Sequence, residues 1–102
     1  WCTLPLSNGW VQSGTTYTTH QYTKASDGVV HLKGRIRSGT NYVMATLPVG
    51  YCPANRLVQT VVTADVWGRV DIAPLGDGTC RVEGSAYNTS WVSLDGIRYM
   101  AE

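Results

Sequence analysis

The sequence has no phenylalanine, and charged residues fill only 15% of its 102 positions, against about 25% in an average globular domain. Its net charge of +1 gives no support for a nucleic-acid module, which concentrates basic residues on one surface. Nor does it favour a membrane-surface binder. No apolar run approaches the roughly 20 residues a membrane-spanning helix needs, so no membrane insertion is expected. The chain opens at Trp1 with neither an initiator Met nor the charged and apolar regions of a signal peptide, and reads as a fragment of something longer. The three cysteines, Cys2, Cys52 and Cys80, are odd in number and lack a CxxC pair, which argues against a full disulfide framework and a zinc knuckle. Free thiols are the expectation, and a reducing cytosol would keep them so. A single bridge is the alternative, and the spacing does not choose its pair.

Catalytic constellations are missing as well. Nothing matches GxSxG, HExxH or a P-loop. The two histidines, His20 and His31, fall in predicted strands, and four of the five Asp border glycine turns or loops. Neither an enzyme nor a cofactor nor a metal centre is expected.

What the chain does contain is turns at short intervals. Asn8-Gly9, Asp27-Gly28, Pro48 to Gly50, Asp77-Gly78 and Asp95-Gly96 each supply the positive φ that tight turns demand. Between them, residues alternate with period 2. Val30, Leu32, Gly34 and Ile36 alternate with His31, Lys33, Arg35 and Arg37, giving one apolar and one basic face. Val58, Thr60, Val62, Ala64 and Val66 share one face of the longest β-branched run, which belongs in the middle of a sheet. Val70 and Ile72, then Cys80 and Val82, alternate with Arg69, Asp71, Arg81 and Glu83. Trp91 to Leu94 and Ile97 to Ala101 flank Asp95-Gly96 as a two-residue hairpin. No stretch carries sustained helical spacing with caps. The fold class is all-β: an antiparallel sandwich or barrel of about eight short strands in a single domain over 1–102. So small a β-domain buries a modest core and must hide its sheet edges, and trimerisation would serve both needs.

In order, Leu6-Ser7-Asn8-Gly9-Trp10-Val11, Asp27-Gly28-Val29-Val30-His31-Leu32-Lys33-Gly34, Thr46-Leu47-Pro48-Val49-Gly50-Tyr51-Cys52-Pro53 and Trp91-Val92-Ser93-Leu94-Asp95-Gly96-Ile97 resemble the C-terminal head domains of bacteriophage tail-fibre and baseplate receptor-binding proteins. The resemblance covers nearly the whole chain and departs at Cys52, where such heads usually carry Arg. It implies a homotrimeric β head at the virion tail tip, made in the bacterial host cytoplasm. Residues 1–9 would connect to the stem, and the head would bind a host surface saccharide or cell-wall polymer. A structural trimerisation cap that never touches the host is the alternative it leaves open.

Four Trp and six Tyr supply rings with an apolar face and a polar edge, the combination a pyranose requires beside Asp, Asn or Arg. Three segments offer it. Asp65, Trp67 and Arg69 set an indole between a carboxylate and a guanidinium. Tyr87 and Asn88 lie in a small, polar loop, and Asn41-Tyr42 follow Gly39-Thr40. The competing reading packs Trp67 at a turn or subunit contact, with Asp65 paired to Arg69. Trp10 and Trp91 are expected to pack in a core or an interface. The basic row from His31 to Arg37 is expected to be a solvated face with cross-strand acids such as Glu83 or Asp71; contact with phosphate on a teichoic-acid-like polymer is the other reading.

Overall fold

The turns close a chain that is strand throughout its regular structure. The computed structural model describes residues 1–14, 16–63, 66–84 and 91–101, with Val66 and Trp67 described by backbone alone. Among the described residues there are eleven strands and no helix. They are β1 (Cys2–Thr3), β2 (Val11–Gln12), β3 (Gln21–Lys24), β4 (Val29–Lys33), β5 (Arg35–Arg37), β6 (Val43–Leu47), β7 (Leu57–Thr63), β8 (Val66–Pro74), β9 (Cys80–Gly84), β10 (Val92–Ser93) and β11 (Arg98–Met100). The count exceeds eight because β1, β2 and β10 are two-residue pairings that period-2 reading cannot detect. One sheet runs β1-β3-β4-β11; the other, curled into a half-barrel, runs β2-β5-β10-β7-β8-β9-β6. Every pairing is antiparallel.

The core lies between these layers. Val30, Leu32 and Tyr99 come from the smaller sheet, and Ile36, Leu47, Val70, Ile72, Val82 and Val92 from the larger. Each fully buried Val, Leu or Ile contributes on the order of 1.5–3 kcal/mol of transfer free energy.

The apolar-and-basic alternation expected from Val30 to Arg37 is present, yet it spans both sheets. Gly34, at φ +126, is where the chain leaves β4 for β5. A Cβ there would press into the His20 backbone, so both conformation and space demand glycine. The second crossing, residues 94–97, bonds directly to this first one. Leu94 N–H donates to the Gly34 carbonyl at 2.7 Å, Leu32 N–H to the Ile97 carbonyl at 2.9 Å, and Gly34 N–H to Asp95 Oδ1 at 2.9 Å. The Asp95-Gly96 turn therefore exists, with Gly96 at φ +87, but it does not close a hairpin. β10 pairs with β5 and β7, whereas β11 pairs with β4 in the other sheet. Two apolar segments around a tight turn signal reversal in either case, and the partner available at each side decided the outcome.

β7 is the central strand of the larger sheet, as its β-branched run predicts. The inward face is the opposite one: Val61 and Thr63 are buried, while Val58 and Val62 are 57% and 40% exposed. With β-branched residues on both faces, composition alone cannot say which face packs.

Free thiols are not what the structure contains at two of the three cysteines. Cys52 and Cys80 are bonded, while Cys2 is free and exposed. Leu47 lies opposite Cys80 across β6 and β9, and the loop that follows folds back, with Tyr51 N–H donating to the Pro48 carbonyl. That return brings the two Cα atoms to 5.7 Å, inside disulfide reach. The contact spans 28 residues and depends on strand register, which the cysteine spacing does not encode.

Candidate functional site

On the larger sheet, β8 and β9 and the loop entering β7 gather a cluster of opposite charges. Asp71 on β8 and Glu83 on β9 are cross-strand partners, an arrangement in which like charges repel. Arg56, in the loop entering β7, resolves the conflict. Its Nε donates to Asp71 Oδ2 at 2.9 Å and its Nη2 to Glu83 Oε2 at 2.8 Å. These contacts, Asp71's hydrogen bond foremost, push the Arg56 pKa above its ordinary value. Arg69, two residues before Asp71 on the same face, brings Nε to 3.0 Å from Asp71 Oδ1. Oδ1 is buried and, among the described residues, makes no hydrogen bond, so this ion pair is what compensates it. Asp71 itself is only 4% exposed, covered by two guanidinium groups that remain largely in water.

Tyr42 forms the rim. Gly84 N–H, at the end of β9, donates to the Tyr42 carbonyl at 2.8 Å. The loop before Tyr42 is tied down by Trp10, whose indole N–H donates to the Asn41 carbonyl at 3.0 Å. Gly39 lets that indole lie flush, since any Cβ would enter the ring. Trp10 is thus a buried packing residue, as expected. The Tyr42 side chain stays half exposed. Tyr42, Arg56, Arg69, Asp71, Glu83 and Gly84 together enclose a groove of about 400 Å³. A second concavity, of about 280 Å³ beside the Cys52–Cys80 bridge, has among the described residues neither an aromatic ring nor a charged side chain in its lining.

Of the residues singled out in the sequence, Tyr42 and Arg69 meet in this groove although 27 positions separate them. Asn41 is adjacent but occupied: its Oδ1 accepts from Val43 N–H and its carbonyl from Trp10. Asp65, Tyr87 and Asn88 lie outside the described residues, and Trp67 is placed by backbone only, opposite Val62. Sequence reasoning missed Arg56, Asp71 and Glu83 as site members. Asp71 and Glu83 carried a signal, the alternation that turned both toward the face of Arg69, but only strand register sets them side by side. Arg56 lies 15 residues from Asp71 in the chain and carried none.

The basic row also differs from expectation. Its cross-strand partners are neutral or basic: Thr23 and Arg98 for His31, Gln21 for Lys33, Ser93 for Arg35 and Val11 for Arg37. Asp71 and Glu83, expected opposite the row, serve Arg56, Arg69 and Arg81 instead. Trp91 packs against a cation rather than into the core, with the Arg35 guanidinium carbon 4.1 Å from its ring.

Chemically, the groove offers a half-exposed ring face, carboxylate acceptors and guanidinium donors within one small concavity. That set matches a polyhydroxylated ligand, with C–H groups against the ring and hydroxyls divided between carboxylates and guanidiniums. No protein-family model, no curated protein and no solved structure matches the chain.

Proposed function

We propose that this chain is the receptor-binding head of a bacteriophage tail fibre or baseplate protein, working as a homotrimer that holds a host surface saccharide in the Tyr42–Arg69–Asp71–Glu83 groove. The observation that carries the reading is the half-exposed Tyr42 ring in one concavity with the Arg56 and Arg69 guanidiniums, each more than half in water, and the Glu83 carboxylate. Sugar hydroxyls meet the guanidiniums and the Glu83 carboxylate while the pyranose face covers Tyr42. The role is binding without catalysis, at the tail tip of the virion. Synthesis takes place in the bacterial cytoplasm, and the Cys52–Cys80 bridge closes after release into an oxidising medium. One shallow groove gives weak affinity, and three per head with many heads per particle raise avidity by large factors.

A second reading rests on Val58 and Val62, exposed on the central strand. Val58 and Thr60 lie opposite Asp71 and Arg69, so a neighbouring subunit seated on this apolar line would cover the groove, and the domain would be a trimerisation cap. Competition separates the two readings. Purified head, added to host cells before the parent phage, is expected to reduce adsorption, and Tyr42→Ala head is expected to compete at least tenfold less well while sedimenting identically. Failure of the wild-type head to compete would leave the cap.

A further inference from the structure

We infer that the outer face of β5 is a second binding surface, anchored on Arg35, for an oxyanion group, phosphate or carboxylate, repeated along an extended polymer. It is separate from the groove and does not depend on it. The Arg35 guanidinium carbon lies 3.7 Å from the Tyr17 ring centroid and 4.1 Å from that of Trp91. The rings hold the side chain in one orientation and occupy its π faces, but they accept none of its N–H groups. Nε is buried and, among the described residues, has no acceptor. A partly desolvated cation without a counter-ion gains more from an incoming anion than a solvated one does. Its planar fork matches two oxygens of a phosphate or carboxylate, and a side chain already fixed by rings loses little entropy on binding.

Among the described residues the neighbourhood supplies no internal anion for the role. Asp95 is close in the fold, but its two oxygens accept from Gly34 N–H and Thr18 Oγ1. Alternation puts Arg37 on the same face as Arg35, about 7 Å along β5; Lys33 belongs to β4, across the Gly34 corner in the other sheet. Lys33 carries a ring of its own, with Nζ 4.2 Å from Trp1. Two cations at that interval answer neighbouring groups of an anionic chain better than they answer a single ion.

The test is titration of the folded protein, at low and at physiological salt, with inorganic polyphosphate, with polygalacturonate and with neutral dextran. Binding to one or both polyanions that weakens with salt, and none to dextran, is expected; the tighter polyanion identifies the group. Arg35→Gln is expected to lower that affinity about tenfold or more, and Arg35→Lys to recover only part of it, because charge returns without the fork. Tyr42→Ala is expected to bind like wild type. Should Arg35→Gln fail to fold, Arg37→Gln carries the test, with a loss of about threefold or more expected from removing one charge. No binding by either polyanion, unchanged affinity in the charge variants, or tighter binding of single-stranded DNA than of polyphosphate of equal length would each overturn the assignment.

Discussion

Gly34→Ala probes the joint on which the two-sheet arrangement turns. At φ +126 the position lies where a side chain costs on the order of 1–3 kcal/mol in backbone strain. The new Cβ would also stand 2.8 Å from His20 N and closer still to its Cα. The obstacle is backbone, which cannot rotate away as a flexible side chain would, so overpacking adds roughly 1–3 kcal/mol. A loss of about 3–5 kcal/mol follows, a large share of the 5–15 kcal/mol that holds a typical domain. Gly76→Ala is the matched control, with positive φ (+86) but nothing within 4 Å of its would-be Cβ; it should cost only about 1–2 kcal/mol. Urea unfolding of both variants, followed by tryptophan fluorescence with the slope held common, measures the difference. A Gly34→Ala loss no greater than that of Gly76→Ala would refute the steric account of the crossing.

Three further outcomes are expected. Thiol titration of the native protein should find one reactive group, Cys2; three would contradict the bridge. Reducing the 28-residue connection between Cys52 and Cys80 should lower stability by about 3.5 kcal/mol on the loop-entropy estimate, read as a shift in urea midpoint with and without reductant. Burial holds the His20 pKa below its ordinary 6.5. The unfolded chain therefore takes up the proton first, so stability present above pH 6.5 is lost as pH falls through the folded-state value. His20→Gln should flatten that part of the melting-temperature profile between pH 7 and 5, and a profile unchanged by the substitution would reject the assignment.

The class of fold was legible because alternation is a local property. Val70, Ile72, Cys80 and Val82 face inward in the structure as their spacing requires, and the turn at Asp77-Gly78 joins β8 to β9 where it was expected. Pairing is not local. The residues around Asp95-Gly96 satisfy a hairpin pattern, yet each segment found a longer-range partner, because Gly34 opens a corner whose free backbone groups bond to both sides. The site follows the same rule. Tyr42 and Arg69 were visible as an aromatic and a cation near turns, but the concavity between them exists only through β8–β9 register and an arginine from a distant loop. The expected acids of the basic row were misplaced for the same reason: charge balance along the sequence does not say which strands become neighbours.

The most direct test of the groove is an amide chemical-shift titration of the isotope-labelled domain with saccharides released from host cell surfaces. Perturbations clustered at Tyr42, Arg69, Asp71 and Gly84, and absent from Tyr42→Ala protein, are predicted. Saturable binding whose shifts cluster elsewhere and leave these four residues unmoved would contradict the assignment.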